Sequence, residues 1–166
     1  MKKIMKTLHA VEQWRKIEGI WQMVGDKEVN ENVFTLEGLE YVMDVMFNDS
    51  PDGNYLWYTA LFKNDIDPQD TDTGAFPGWL ECGEYDETVR PYYEKEFSFT
   101  GTLSNPSDPA VFTINDTVTI YGSAFVDRPS KTGTANMLIA SSKWDTPRDA
   151  IAGDIVRVVI EIAGSN

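Results

Sequence analysis

The sequence is poor in the side chains that build disulfides, zinc sites and histidine-dependent catalysis. It contains one cysteine, Cys82, and one histidine, His9. One cysteine cannot form an intrachain disulfide, so the fold has to depend on its core. One histidine excludes a histidine-rich metal site, and the sequence has no Gly-x-Ser-x-Gly elbow, phosphate loop or dinucleotide-binding glycine pattern. We therefore expect a protein that is not an enzyme and needs no cofactor.

Basic residues are also scarce. The 14 Lys and Arg residues stand against 27 Asp and Glu residues, which gives a net charge of −13. Binding to nucleic acid requires clustered Lys and Arg, so we expect no nucleic-acid partner. Such acidity favours solubility or docking onto a basic surface. The basic residues are unevenly placed, because five of them precede Asp26: Lys2, Lys3, Lys6, Arg15 and Lys16.

Long hydrophobic runs are missing from the sequence, which predicts no transmembrane helix and no membrane partner. The start at residues 1–6 has the basic character of a signal peptide. The apolar stretch that a signal peptide needs does not follow, since His9, Glu12 and Arg15 interrupt it. We therefore expect a chain that is made and kept, or assembled, in the cytoplasm.

The hydrophobic pattern predicts a mainly β protein with one substantial helix. Apolar residues recur at helical spacing over 36–47, behind Thr35 as a candidate N-cap. Gly38 inside this helix costs about 1 kcal/mol relative to alanine, which indicates close packing there. Strands are predicted at 20–24, 55–62, 92–99, 110–114, 117–126, 135–140 and 155–162, with 8–15 readable as strand or helix.

Strands at this spacing predict an antiparallel, jelly-roll-like β-sandwich. Two long loops are predicted between the strands, at 63–79 and 141–153. Nine apolar residues are predicted to be buried: Leu39, Val42, Met43, Trp57, Leu61, Phe97, Ile120, Val158 and Ile160.

Two acidic clusters could carry chemistry. In the segment 64–72, four aspartates supply the oxygen ligands that Ca²⁺ prefers: Asp65, Asp67, Asp70 and Asp72. Their spacing is not that of an EF-hand, so a solvated acidic loop is the preferred interpretation. The segment 81–87 holds four carboxylates that could act as a glycosidase pair. We favour surface charge paired with Arg90.

Several segments resemble a known family. They are 32–39 running into the helix, 57–62, 71–73, 78–81 with Tyr85 and 90–91, 112–115, 119–125 and 152–154. In order and spacing they are similar to a family of tailed-bacteriophage virion structural proteins, over about residues 30–162. Members of that family are labelled head decoration or cement proteins, or tail-fibre proteins. The resemblance implies a particle component and no catalytic residues.

The resemblance implies a capsid decoration or cement subunit that binds the outside of the head and stabilises the shell. Its partners would be the major capsid protein or other virion subunits, with further copies of itself as a homo-oligomer. Its location would be the virion. A tail-fibre, tail-tip or baseplate component is the alternative. The absence of internal repeats favours the first.

The N-terminal segment matches the family least. We predict residues 1–26 as an arm or edge segment and residues 27–166 as the sandwich domain. Trp14 and Trp21 are of a residue type common at interface hot spots, and basic residues surround them. One hypothesis is an arm that packs on a neighbour, and the other is an ordinary edge strand. The predicted interface residues are Lys2, Lys3, Lys6, Trp14, Arg15, Lys16 and Trp21.

Overall fold

The computed structural model describes residues 5–47, 56–97, 102–135 and 137–164. These residues form eleven strands and one helix, which confirms the predicted mainly β class. In chain order the elements are β1 (Met5–Ile17), β2 (Ile20–Met23), β3 (Glu28–Glu31), β4 (Val33–Phe34), α1 (Leu36–Phe47), β5 (Tyr58–Phe62), β6 (Glu96–Phe97), β7 (Thr102–Ser104), β8 (Ala110–Thr113), β9 (Val118–Val126), β10 (Leu138–Ala150) and β11 (Ile155–Gly164).

Within the described residues the strands form two antiparallel sheets. Sheet A has seven strands, in the order β2-β1-β11-β7-β6, with β3 also pairing β1 and β8 also pairing β11. Sheet B has four strands, in the order β4-β10-β9-β5. Both sheets contribute to one buried apolar cluster, which confirms the predicted sandwich. No helix in the described part of the chain is long and apolar enough to cross a membrane.

The core lies between the two sheets. On β11 the predicted alternation is confirmed, because Val156, Val158 and Ile160 are all fully buried. They share an apolar cluster with Ile120 of β9 and Trp144 of β10. Each fully buried aliphatic side chain contributes roughly 1.5–3 kcal/mol, so this cluster supplies most of the driving force for closing the sandwich.

Sheet B is buried on its other face as well. A second apolar cluster there includes Phe62 and Trp79, whose rings stack 5.8 Å apart. Trp79 belongs to the long irregular segment that follows β5, and its indole nitrogen donates to Ser141 Oγ at 3.1 Å. This segment therefore covers the side of sheet B that faces away from sheet A.

The helix α1 has the predicted bounds and the predicted cap. Thr35 Oγ1 accepts a hydrogen bond from the backbone N–H of Gly38 at 3.0 Å. A Cβ on Gly38 would lie 2.6 Å from the carbonyl oxygen of Ile139, so close packing explains this glycine. The predicted burial of Met43 is wrong, because it is 51% exposed. The helix contacts β10 along a narrow line, which leaves part of its apolar stripe in solvent.

Two predictions of strands and loops need correction. The predicted loop at 141–153 is largely strand, since β10 runs to Ala150 with an irregular register between Lys143 and Arg148. The polar residues of that stretch concealed the strand, although Trp144 anchors it in the core. The predicted strand at 92–99 is short: only β6 is a strand there, and its last two residues lie outside the described residues.

The sequence leaves two hypotheses for the N-terminal segment, an arm and an edge strand, and the pairing of residues 5–23 agrees with strands of the sandwich. β1 pairs with β11 from Met5 opposite Gly164 to Trp14 opposite Ile155, and with β2 and β3 on its other side. Val11 is fully buried in the main core. Residues 5–23 therefore pack on their own sandwich. Polar residues point inward from β1, which hid the alternation that marks a strand.

Candidate functional site

The hairpin of β1 and β2 carries most of the predicted interface residues. Lys6, Trp14, Arg15 and Lys16 lie on β1 and Trp21 lies on β2, whereas Lys2 and Lys3 fall outside the described residues. The connecting residues Glu18 and Gly19 have φ values of 51° and 85°. Positive φ at both central residues is the type I′ turn, whose twist matches that of a two-residue hairpin.

The register places four of these side chains on one face: Lys6, Trp14, Lys16 and Trp21. Trp14 is opposite Ile155 of β11 and Met23 of β2, and Lys16 is opposite Trp21. Directly opposed residues in an antiparallel pair share a face. This face points away from sheet B, and we call it the outer face of sheet A. We define it by alternate residues of four strands: Lys6, Leu8, Ala10, Glu12, Trp14 and Lys16 of β1; Trp21 and Met23 of β2; Val29 and Glu31 of β3; and Ile155, Arg157, Val159 and Glu161 of β11.

The outer face has two concave regions. Trp14, Trp21, Ile155 and Arg157 line a depression of about 300 Å³. The guanidinium carbon of Arg157 lies 5.9 Å from the centroid of the Trp14 ring, within the range of a cation–π contact. The depression therefore combines two aromatic rings with a positive charge, a chemistry that is common where proteins bind one another.

The second concavity lies further along β1. It is a groove of about 480 Å³ whose apolar lining includes Leu8, Ala10, Val29 and Val159. Val29 is 56% exposed, and neither buried cluster of the described residues includes any of these four side chains. The apolar character of the outer face thus extends well beyond the two tryptophans.

Charges on the outer face are balanced. Lys6 forms an ion pair with Glu31, and Lys27 Nζ lies 3.1 Å from Glu12 Oε1. Partial burial would raise the pKa of Glu12, but hydrogen bonds from Lys27 and Trp14 outweigh it and hold that pKa below its usual value. The face therefore differs from the chain as a whole, whose net charge is −13.

Arg15 points to the opposite side of β1 and has a structural role. Its guanidinium donates to both carboxylate oxygens of Asp154, at 2.8 and 2.7 Å. The same carboxylate accepts from Gln13 Nε2 at 2.9 Å and from the backbone N–H of Ile151 at 3.1 Å. Burial would raise the pKa of Asp154, but these hydrogen bonds hold it below its usual value. The network fixes the base of the hairpin to the turn between β10 and β11.

The chain matches no protein-family model and no curated protein. Its function has to be inferred from its own surface and interior.

His9 is the one histidine of the sequence and therefore its one candidate imidazole base, and it lies inside the sandwich. It is fully buried, and burial lowers its pKa to about 3, so the ring is neutral. Its Nδ1 lies 2.7 Å from Ser123 Oγ, and its Nε2 lies 3.0 Å from Asn32 Nδ2. Because the side-chain nitrogen of Asn32 can only donate, Nε2 accepts and the Nδ1–H group donates to Ser123. His9 thus links sheet A to sheet B.

Three of the four carboxylates of the segment 81–87 have separate structural partners: Glu81, Glu84 and Glu87. Glu81 and Arg90 form a bidentate pair, with nitrogen–oxygen distances of 2.7 and 2.8 Å. The predicted surface position of this pair is wrong, because the two side chains are only 8% and 1% exposed. Glu84 pairs with Lys63, and Glu87 accepts from the backbone N–H of Thr113.

Arg90 also holds a distant loop. It donates to the carbonyl oxygens of Arg128 and Gly133 at 2.8 and 2.7 Å, so Glu81 and Arg90 together anchor the loop between β9 and β10. Cys82, next to this pair, is fully buried, and burial raises the pKa of its thiol to about 12. A neutral buried thiol packs as a small apolar side chain.

The aspartates of the segment 64–72 are held by protein groups. Lys143 Nζ lies 2.6 Å from Asp65 Oδ1 and 2.9 Å from Asp67 Oδ1. Asp72 accepts a hydrogen bond from the backbone N–H of Gln69 at 2.8 Å. Among the residues that the structure describes, no group of three or more His, Cys, Asp or Glu side chains could hold a metal ion.

Proposed function

We propose that this chain is a structural protein of tailed-bacteriophage particles, a decoration or cement subunit that binds the outside of the head and stabilises the shell. The observation that carries the proposal is the outer face of sheet A, which is apolar, aromatic and balanced in charge in an otherwise acidic chain. The partner is the major capsid protein or a neighbouring virion subunit. The protein is assembled into the virion in the host cytoplasm.

The outer face suits a binding surface for physical reasons. Interface centres are enriched in Trp, Met and Arg, and this face presents Trp14, Trp21, Met23 and Arg157 together. Contiguous apolar patches on soluble proteins commonly mark sites of interaction. The face is built on paired strands above a buried core, so little conformational entropy is lost when a partner binds.

The two sides of the sandwich also differ in charge. The acidic segment that contains Asp65 and Asp67 follows β5 in sheet B, on the side away from the outer face of sheet A. A subunit that binds through sheet A would display this acidic side to solvent. Such a surface does not favour contact with packaged DNA.

The interior supports binding rather than chemistry as the role. His9 is buried and neutral, Cys82 is a buried neutral thiol, and Glu81 is paired with Arg90. Each of these groups has a structural partner or a packing role in the fold. The side chains that remain exposed on the outer face are suited to recognition.

Particle association of two charge variants tests the proposal. Val29→Glu places a carboxylate on the outer face, and Leu80→Glu places one on a residue of similar exposure, 59%, in the segment that covers sheet B. We expect Val29→Glu to be lost from purified particles and Leu80→Glu to be retained. Equal retention would show that the outer face does not bind the particle.

Copy number separates the head from the tail. A decoration subunit is expected at a copy number comparable with that of the major capsid protein, measured by quantitative mass spectrometry of purified particles. A few copies per particle would instead indicate a tail-fibre, tail-tip or baseplate component. Absence of the protein from particles would overturn the virion role.

A further inference from the structure

The edge of sheet A at β2 is unusual for a soluble protein. Its four residues are Ile-Trp-Gln-Met, without a charge in a chain in which 25% of residues are charged. All four are exposed, Ile20 to 66% and Trp21 to 45%. Within the described residues β2 pairs only with β1, so its other edge faces solvent.

The backbone groups on this edge can be assigned from the register. The N–H of Val24 donates to the carbonyl oxygen of Gln13 at 2.8 Å, which makes these two residues a hydrogen-bonded pair. Hydrogen-bonded and non-hydrogen-bonded pairs alternate along an antiparallel ladder. The next hydrogen-bonded residue of β2 is therefore Gln22, and the N–H and C=O groups of Trp21 and Met23 point away from β1.

Three other sheet edges in the described part of the chain, at β4, β5 and β6, are protected. The outer edge of β5 is covered, because its backbone bonds to Cys82 and Pro91, and Lys63 directly after it bonds to Leu80. The strands β4 and β6 have two residues each, and charged residues precede β6. Short strands, charges and covering segments are the usual means by which proteins prevent edge-to-edge pairing. β2 has the short length but neither a charge nor a cover.

We propose that β2 pairs in antiparallel fashion with β2 of a second copy of this chain, so that sheet A continues across a two-fold dimer. An antiparallel edge is self-complementary about a two-fold axis, and two-fold dimers are the commonest oligomers. Charge also favours a second copy at this place. Two chains of net charge −13 repel each other, so contact between copies is least opposed at a strand that carries no charge, as β2 does.

The dimer contact and the proposed particle contact use different atoms, because pairing uses the backbone groups of Trp21 and Met23 and particle binding uses side chains of the outer face. The dimer contact uses the edge of sheet A, whereas particle binding uses the outer face. It would also shield Ile20, on the side of the hairpin that faces away from the Trp14 depression. The inference therefore stands whether or not the protein binds a particle, and its test is made on the purified full chain in solution.

A charge introduced in the middle of β2 tests whether this edge pairs with a second copy. We expect the wild-type chain to have twice the monomer mass in light scattering after gel filtration. Gln22→Lys sets like charges against each other across the two-fold axis, and we expect it to be monomeric at the same concentration. Phe76→Lys is the matched control, because it adds the same charge at a loop residue that is 82% exposed, and it should stay dimeric.

A second pair of variants tests the backbone itself. Met23→Pro removes an outward N–H group that β1 does not use, a position where edge strands tolerate proline. We expect Met23→Pro to be monomeric and Met23→Ala to remain dimeric, with circular dichroism spectra like that of the wild type. This pair decides the question if Gln22→Lys does not fold. A monomeric wild type, or a dimer that survives in a folded Gln22→Lys or Met23→Pro, would overturn the proposal.

Discussion

The two sheets of the sandwich are buried to different extents. Sheet B has apolar clusters on both faces, and its strands β5 and β9 contain consecutive buried residues. In sheet A, β1 and β11 alternate between fully buried residues and residues of the outer face. Side chains on both faces of sheet B pack against other parts of the chain. Side chains on the outer face of sheet A remain accessible to a partner. The difference leaves the outer face of sheet A as the surface for the partner proposed above, and sheet B as the sheet that is buried on both faces.

The largest expected effect comes from breaking the anchor at the covered side of sheet B. Arg90→Ala leaves the carboxylate of Glu81 buried without its partner, which costs about 3–5 kcal/mol of unfolding free energy. Lys63→Ala is the control, because its partner Glu84 is partly exposed and such pairs contribute about 0–1 kcal/mol. Urea unfolding measures both. Equal losses of unfolding free energy in the two variants would mean that the buried pair of Glu81 and Arg90 stabilises the fold no more than a partly exposed pair.

Adjacent valines of β11 compare the two faces of sheet A directly. Val158 is fully buried, whereas Val159 lines the groove on the outer face. Val158→Ala should cost about 2–3 kcal/mol, because it loses buried methyl groups and leaves a cavity. Val159→Ala should cost under about 1 kcal/mol and act on partner binding instead. Similar costs in chemical denaturation would contradict the assignment of the two faces.

Acid should weaken the contact between the sheets at His9. The folded-state pKa of about 3 lies below the ordinary histidine pKa of 6.5, so the unfolded chain binds the proton first as the pH falls. The contribution of neutral His9 is complete above pH 6.5 and declines below it. From pH 7 to pH 5 the loss is about 2 kcal/mol. His9→Gln removes the titrating ring, and its unfolding free energy should change less over this range.

A carboxyl group whose pKa is lowered in the fold loses its contribution in the same direction as His9, but at lower pH. The pKa of Asp154 is lowered in the fold, since Arg15 and Gln13 outweigh the effect of burial. Its contribution is therefore present above the pKa of the unfolded chain and is lost as the pH falls through the folded-state pKa. Measurements between pH 7 and pH 5 separate His9 from this group. An equal slope in His9→Gln would contradict the assignment to His9.

The smallest expected effect concerns the acidic segment that covers sheet B. Lys143 forms ion pairs with both Asp65 and Asp67. We expect the melting temperature to be the same with and without EDTA. A fall of several degrees on adding EDTA would mean that Asp65, Asp67, Asp70 and Asp72 bind calcium, because a ligand that binds only the folded state raises its stability.

Patterns among neighbouring residues predicted the elements that interactions between neighbouring residues form. The bounds of α1 followed from Thr35 as the cap and from the apolar spacing of 36–47, and Gly38 indicated its close packing. Strict alternation identified the buried residues of β11. The interface prediction was partly local as well. Trp14, Lys16 and Trp21 do share a face, because a two-residue hairpin sets their register.

Elements whose polar residues face inward could not be predicted in this way. His9 and Gln13 break the alternation of β1, and their partners Ser123 and Asp154 are 114 and 141 positions away. The second half of β10 could not be predicted for a similar reason, because Arg148 is buried there with Glu28 as its partner. A polar residue can be buried only where hydrogen bonds satisfy it, and those bonds come from distant strands.

The sequence by itself determined the mainly β class, the single long helix among the described residues, the acidic charge and the scarcity of catalytic groups. Each follows from composition or from the period of apolar residues, which depend on neighbours along the chain. Only the tertiary structure decided that residues 5–23 belong to sheet A, that Glu81 and Arg90 are buried, and that one side of the sandwich is covered. The physical reason is that burial depends on what packs over a strand, and the covering segments come from distant parts of the chain.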